Sequence, residues 1–227
     1  MSTLLIRLAA PVQSWGADSK FERRLTRREP TKSGVIGLVA AAMGRARNAA
    51  LDDLVELKFG VRIDQPGQLL RDFHTARAQG AKHPYITERF YLCDAVFLVG
   101  LEGETALLQK IEAALAAPFF PLYLGRRSCP PVGRLSLGIR EMPLAGALSG
   151  EAWQAGEWYQ KKFGAAALTL VLDSDLIGGA RQRDLPVTFD YRHRQYAYRY
   201  YNSIPDAVAV SQTSVTTTHD AFEGVDG

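Results

Sequence analysis

Apolar and polar positions follow one another along this chain in patterns that predict strands separated by short helices. Residues 3–9 form an apolar run typical of a buried first strand. Residues 58–64 alternate between apolar and polar side chains, which predicts another strand. Residues 105–116 carry apolar side chains at helical spacing, and Pro118 marks the end of this predicted helix.

A short, largely buried helix is predicted over the Ala-rich apolar run at residues 35–43. Thr31 and Ser33 stand just before this run and are both good N-cap residues. Gly44 follows it and suits the end of a helix. A second short helical stretch is predicted over residues 51–57.

Two long apolar-polar segments predict a protruding β-hairpin in the middle of the chain. Residues 69–77 and 86–99 are the predicted strands, and residues 78–84 form a polar tip between them. Residues 119–138 are rich in Pro and Gly, which favours short strands and tight turns.

The order of these elements predicts an α+β fold. Over residues 1–140 the order is βαββαβ, that of a ferredoxin-like domain, the scaffold of RNA-recognition modules. Residues 141–204 predict a smaller C-terminal β-rich unit, which starts with an amphipathic helix from Trp153 and continues with strands. Residues 205–227 contain acidic side chains but no Lys or Arg, which predicts a flexible tail.

Composition places the chain among soluble globular proteins. Of its 227 residues, 47% are hydrophobic and 22% charged, and the net charge is +3. The longest apolar runs fall short of the ~18 residues needed to span a bilayer. Two cysteines are too few for a disulfide framework or a structural zinc site, so we expect a reducing, cytoplasmic setting.

A basic cluster precedes the first predicted helix. Lys and Arg that converge on a helix N-terminus suit a phosphate group, because the unpaired backbone N–H groups there also favour an anion. A solvated charged loop is the alternative interpretation. The cluster consists of Lys20, Arg23, Arg24, Arg27, Arg28 and Lys32.

The predicted hairpin also mixes basic and aromatic side chains, a combination that suits single-stranded RNA, where bases stack on rings. The alternative is an amphipathic hairpin whose rings face the core. The basic members are Arg71, His74, Arg77, Lys82, His83 and Arg89, and the rings are Phe73, Tyr85, Phe90 and Tyr91.

A third basic segment surrounds a glycine at residues 123–130 (YLGRRSCP). Gly125 before Arg126 and Arg127 allows a tight turn that brings backbone and guanidinium groups close to a ligand. Cys129 has no neighbouring His, so we interpret it as a small packed residue rather than a nucleophile. Arg and Tyr also alternate in residues 181–201, which fits RNA or a protein interface.

The sequence lacks a recognisable catalytic or metal-binding pattern. Its four histidines show no metal-ligand spacing, and no nucleophile elbow or dinucleotide fingerprint occurs. These observations favour a binding protein without a cofactor.

At several of these segments the chain resembles the CasD family of type I-E CRISPR Cascade complexes. The similar segments occur in the family's order within residues 3–132, and the similarity is looser beyond Val132. They are residues 9–16 (AAPVQSWG), 30–38 (PTKSGVIGL), 71–75 (RDFHT), 89–94 (RFYLCD) and 123–130 (YLGRRSCP).

The resemblance implies a repeat-associated (RAMP-type) protein with a ferredoxin-like domain and a thumb hairpin at about residues 69–91. Such proteins are non-catalytic subunits that bind the 5′ handle of the CRISPR guide RNA and cap the filament of the backbone subunit CasC. They lie near the large subunit CasA and meet target DNA indirectly, through the assembled complex. A separate subunit processes the guide precursor.

Together, the resemblance and the basic segments predict a handle-binding site with no catalytic residue and no metal. The expected RNA-binding residues are Arg27, Arg28, Thr31, Lys32, Ser33, His74, Arg89, Arg126, Arg127 and Ser128.

Two other functions are compatible with the residues. A metal-independent, repeat-specific endoribonuclease would take its acid and base from His74 or His83, with Lys82 and Tyr85. A scaffold protein would use the basic patches only to bind acidic partner surfaces, without preference for an RNA sequence.

Overall fold

The computed structural model describes residues 1–16, 23–77, 79–80, 83–174 and 179–211. Lys20 and Lys82 lie outside the described residues. The strands and helices of the described part are β1 (Ser2–Ala9), β2 (Val12–Gln13), β3 (Arg23–Arg24), α1 (Lys32–Ala42), α2 (Asp52–Val55), β4 (Lys58–Gln65), β5 (Gln68–Ala76), β6 (Tyr85–Cys93), β7 (Val96–Gly103), α3 (Thr105–Ala116), β8 (Ser136–Arg140), α4 (Leu144–Gly150), α5 (Glu157–Phe163), β9 (Ala165–Asp173), β10 (Ala180–Thr188) and β11 (Gln195–Ser211).

A large sheet forms the centre of the molecule, with the strand order β10-β11-β9-β4-β7-β1-β8 among the described residues. Every neighbouring pair in it is antiparallel. Side chains of β1 alternate between its two faces, as the period of a strand requires. Leu4 and Ile6 pack in a core with α1 and α3, whereas Leu5 packs in a second core with α4. The mixed α+β class with antiparallel sheets is therefore confirmed.

The second sheet is built around β6, which pairs with β5 in an antiparallel hairpin along nine residues. On its other edge, β6 pairs with β2 and, in parallel, with β3. The prediction of one strand over residues 86–99 is wrong. The chain changes sheets after Cys93, because Asp94 adopts a left-handed conformation (φ 53°), and β7 begins at Val96.

The strands predicted for a smaller C-terminal unit extend the large sheet, because β9 pairs with β4 from Gly60↔Leu172 to Ile63↔Thr169. The division of the chain at residue 140 stays a prediction. Residues 205–211 of the expected tail belong to β11, and residues 208–211 pair with β9. Residues 212–227 lie outside the described residues.

Two smaller predictions also change. The described residues 119–135 contain turns but no strand, and Trp153 lies between α4 and α5 rather than at the start of one helix. No described helix has the length and apolar character needed to cross a membrane.

Candidate nucleic-acid interface

An open groove of about 1230 Å³ runs over the outer face of α1. We call it the arginine groove. Small residues of α1, including Gly34, Gly37 and Ala41, form part of its lining. One wall comes from the loop 120–130 and the other from the hairpin formed by β10 and β11. None of the described residues that line it is Asp or Glu, and its basic residues are Arg24, Arg45, Arg47, Arg126, Arg127, Arg183 and Arg194.

This charge distribution makes the arginine groove attractive to a polyanion. Guanidinium groups bind phosphate oxygens with charge-assisted hydrogen bonds, and a concave surface of one sign of charge concentrates its field. Arg45 is partly neutralised, because it forms an ion pair with Asp53 outside the groove lining. The hydrogen bond from Arg45 lowers the pKa of Asp53, which keeps that carboxylate charged.

Aromatic rings line the same groove. Phe120 is half-exposed, and Tyr123, Phe189 and Tyr196 are partly exposed. Trp15 also touches the groove but is 1% exposed, so its ring belongs to the core. Partly exposed rings beside guanidinium groups provide stacking surfaces for unpaired bases, which are sequence-tolerant because every base has a flat face.

The N-terminus of α1 is already occupied by a carboxylate. Thr31 caps the helix by accepting a hydrogen bond from Gly34 N at 3.2 Å. The backbone N–H of Lys32 donates to Asp184 Oδ2 at 2.9 Å. The expectation that a phosphate binds at this helix start stays a prediction, and Asp184 already accepts from one of the N–H groups that would bind the anion.

Lys32 itself has a structural role. Its Nζ donates to Leu57 O at 2.8 Å and to Asp173 Oδ2 at 2.9 Å, and its side chain is 6% exposed. The prediction that Lys32 contacts RNA gains no support from this arrangement, since its ammonium group is buried and donates to two protein oxygens.

A buried ionic cluster joins α1 to the C-terminal strands. Arg199 donates to Asp184 Oδ1 at 2.7 Å and to Asp173 Oδ1 at 2.8 Å. Burial lowers the pKa of Arg199, but its hydrogen bonds and ion pairs with the two aspartates outweigh that effect and raise it. This Asp184–Arg199 cluster fixes the β10–β11 wall of the arginine groove to the helix that forms its floor.

The turn at Gly125 presents Arg126 and Arg127. Gly125 has φ +86°, and a Cβ there would stand 1.7 Å from Ser14 O, so only glycine fits. Ser14 N donates to Leu124 O at 3.1 Å, which holds the turn against the start of the chain. Arg127 and Ser128 are exposed.

Cys129 is buried behind this turn. Burial raises the pKa of its thiol, which keeps the sulfur protonated and unreactive. This environment fits a packed side chain rather than a nucleophile.

Two arginines, Arg89 in the middle of β6 and Arg126 in the loop 120–130, have unsatisfied donors. Arg126 donates from Nη2 to Arg24 O at 2.9 Å, and its guanidinium lies over the ring of Tyr91 at 4.6 Å. Arg126 Nη1 and Arg89 Nε are buried but have no hydrogen-bond partner among the described residues. A buried donor without a partner costs about 1–3 kcal/mol. An acceptor that reached these atoms would recover that energy.

The hairpin aromatics were interpreted either as stacking surfaces for RNA bases or as core residues, and each interpretation fits one half of the hairpin. Phe90 and Tyr91, near its root, are buried, whereas Phe73 and Tyr85, nearer the tip, are 59% and 53% exposed. The guanidinium of Arg71 lies 4.6 Å from the centre of the Phe73 ring. The outer half thus offers rings and cations, while the inner half packs against the protein.

The histidines of the hairpin are separated. His74 lies on β5 and forms an ion pair with Asp72. His83 lies beyond the end of β5 and is exposed. The described residues contain no cluster of three or more His, Cys, Asp or Glu side chains that would hold a metal ion.

Comparison with known proteins identifies the family of this chain. The family model described as CRISPR-associated protein (Cas_Cas5) matches residues 3–201. The chain belongs to the Cas5 family. Among curated Cas5 relatives, the CRISPR system Cascade subunit CasD of Escherichia coli (strain K12) is 38% identical over 160 residues, which cover 60% of this chain and 70% of CasD.

Two solved structures are similar along nearly the whole Cas5 chain. One is described as the crystal structure of a Cas protein, with 40% identity and a TM-score of 0.74, covering 92% of this chain and 98% of that one. The other is a chain of a CRISPR RNA-guided surveillance complex, with 34% identity and a TM-score of 0.76. The match to it covers 92% of this chain and 91% of that chain.

Within this Cas5 fold, only part of the predicted site comes together. Thr31, Ser33, Arg126 and Arg127 line the arginine groove. Arg27 and Arg28 lie outside its lining; Arg27 is half-buried, with its backbone N–H bonded to Trp15 O at 2.8 Å, and Arg28 is exposed.

The expected RNA-binding residues left out five arginines of the groove, and Arg24, one of them, belongs to the basic cluster before α1. Arg183 and Arg194 lie in the segment where Arg and Tyr alternate, so a signal for them was present. Arg45 and Arg47 follow the end of α1, and nothing in their sequence context distinguishes them from ordinary surface residues.

Proposed function

We propose that this chain is a non-catalytic subunit of a Cascade-type CRISPR surveillance complex and that its arginine groove binds the 5′ handle of the guide RNA. The observation that carries the proposal is a groove lined by seven arginines and, among the described residues, by no carboxylate. Phosphate contacts from these arginines would position the strand, while the partly exposed rings would stack splayed bases.

The strand order supports a ferredoxin-like assignment for the N-terminal part. The order β4-β7-β1-β8, with α1 following β1 and α3 following β7, is that of a βαββαβ domain.

The hairpin of β5 and β6 is the candidate thumb. Its exposed outer half, including Phe73 and Ile86, is suited to contact the neighbouring CasC backbone subunit in the filament that the chain would cap.

The remaining partners follow from the same proposal. CasA would lie beside the handle-bound subunit, and target DNA would be met only through the assembled complex. The endoribonuclease alternative gains no support from the arginine groove, because neither His74 nor His83 is among its described lining residues. No contact in the described residues joins His74 to His83.

The test measures binding and cleavage together. Purified protein is mixed with 5′-labelled repeat RNA, mature guide, and a guide with a scrambled handle, in EDTA at fixed salt. We expect a preference for the natural handle and no cleavage. R183Q/R194Q should weaken binding by about tenfold or more, because two phosphate contacts are lost.

The control variant is K161Q/K162Q, which removes the same charge from α5, outside the groove lining. Equal affinity for natural and scrambled handles would favour the scaffold function instead. Specific cutting within the repeat that disappears in H74A or H83A would identify a processing nuclease.

A further inference from the structure

We propose that the middle of β6 carries a built site for one phosphodiester group, with Arg89 and Arg126 as its donors. The site rests on the proposed function and deepens it. It would fix a single phosphate of the bound strand, whereas the arginine groove, which Arg126 lines and Arg89 does not, attracts the strand as a whole.

The two side chains share one face of the hairpin sheet. Arg89 and Tyr91 are two residues apart on β6, so they point to the same side. The guanidinium of Arg126 lies over the Tyr91 ring, which places it on that side as well. Arg24 connects the two, because it is the strand partner of Arg89 and its carbonyl accepts from Arg126.

Both arginines retain unused donors. The Arg89 side chain forms no hydrogen bond or ion pair with any described residue, and its Nε is buried. Arg126 Nη1 is buried and unpaired as well. Asp72 stands directly opposite Arg89 in the hairpin, but its carboxylate is paired with His74. The carboxylate nearest in the strand register is thus engaged elsewhere.

The donors define the class of ligand. Two guanidinium groups that offer N–H donors and no acceptor require an anion with at least two oxygens, and they exclude a metal ion. A phosphodiester has two non-bridging oxygens, one for each guanidinium. A polyanionic strand is favoured over a single carboxylate, because Arg24, Arg126 and Arg127 continue the positive charge into the arginine groove.

A phosphate oxygen at this point would pair two buried donors that have no partner among the described residues. Once the oxygen is bound, water is excluded and the charge-assisted hydrogen bonds are strong. Binding at this point therefore depends on the negative charge of one particular linkage.

The experiment uses the full chain and handle RNAs that each carry one neutral methylphosphonate linkage. In the unaltered protein, one linkage should stand out with a loss of affinity of about tenfold. The same linkage should cause no additional loss in R89Q or in R126Q. The control R47Q removes an exposed arginine of the same groove; it should weaken all RNAs alike and retain the tenfold penalty.

R89K and R126K are the second pair of variants, in case the glutamine variants do not fold. Lysine keeps the positive charge but lacks the planar guanidinium fork. Both lysine variants should retain most of the general affinity and lose the linkage-specific penalty. If the handle binds but no linkage stands out, or if the penalty persists in R89Q and R126Q, the phosphodiester site is wrong and handle binding stands.

If the handle does not bind at all, the proposed function fails, and the site is decided by a second measurement. Dimethyl phosphate is titrated into ¹⁵N-labelled protein while the Arg side-chain Nε–H signals are followed, with R89Q used for assignment. A saturable shift of the Arg89 signal supports the site. No shift overturns it, and so does a shift produced by an acidic peptide but not by dimethyl phosphate.

Discussion

One glycine determines where two arginines of the groove stand. Gly125 combines a left-handed backbone with a carbonyl, Ser14 O, only 1.7 Å from the position of a Cβ. Any side chain at this position must push the turn away from Ser14. The turn carries Arg126 and Arg127, so a displacement there moves both guanidinium groups relative to α1.

Gly125→Ala should therefore lower handle-RNA affinity by about tenfold and the free energy of unfolding by about 1–3 kcal/mol. The measurements are equilibrium binding and urea unfolding. The control is Gly133→Ala, whose φ is +77° but whose Cβ would meet only Arg7 Nη1 at 3.9 Å. Equal effects of the two substitutions on RNA affinity would show that displacement of the turn does not matter.

At the residue scale, the sequence identified features that depend on near neighbours. The capping by Thr31 and the glycine before two arginines are local patterns. The structural role of Lys32 does not follow from its near neighbours, because its backbone partner Asp184 lies 152 residues away along the chain. A basic residue at a helix start has the same sequence signature whether that end faces solvent or a buried carboxylate.

At the element scale, the β10–β11 hairpin is held to α1 by buried charge rather than by an apolar seam alone. Asp184 accepts hydrogen bonds from the backbone N–H of Lys32 and from the Arg199 side chain. The Asp184 side chain is 1% exposed and the Arg199 side chain 7%. Removal of one partner from such a pair leaves the other buried without compensation.

Asp184→Asn should lower the free energy of unfolding by about 3–5 kcal/mol. It should also weaken RNA binding, because the wall that carries Arg183 and Arg194 loses its attachment to the floor. Urea unfolding and RNA titration check both effects. Asp190→Asn is the control, since Asp190 lies just after β10 and its carboxylate accepts, among the described residues, only from Arg192 N in the same loop. A loss no larger than that of the control would contradict a supporting role for the cluster.

Element boundaries were predictable where a breaker residue is present and not elsewhere. Residues 105–116 match α3 because Pro118 ends the helix. The change of sheets at Asp94 was missed because the apolar run continues through it from Leu92 to Val99. Hydrophobic patterning indicates burial but does not say which of two sheets buries the residue.

At the scale of the whole molecule, the groove concentrates positive charge on a chain of nearly balanced composition, with a net charge of +3. RNA affinity should fall steeply between about 50 and about 200 mM salt, with a slope near −0.7 per neutralised phosphate. R183Q/R194Q should reduce the magnitude of that slope by about 1.4, twice the single-contact value.

The slope is obtained from dissociation constants measured by fluorescence anisotropy over a series of KCl concentrations. K161Q/K162Q should leave it unchanged, because both lysines lie on α5, outside the groove lining. If both double variants reduce the slope equally, RNA binding depends only on the total charge of the protein.

The groove itself could not be predicted from the sequence, since its walls are brought together by long-range pairing such as that of β4 with β9.

That long-range pairing also affects the biogenesis of the protein. Gly60 cannot pair with Leu172 until residue 172 has been synthesised, and the arginine groove is incomplete until Arg194 has been synthesised. Contacts so distant in sequence form slowly, and a nascent chain on the ribosome has one wall of the groove without the other. If the groove binds RNA as proposed, premature capture is thus disfavoured, because a chain released early by the ribosome would carry basic loops but no assembled groove.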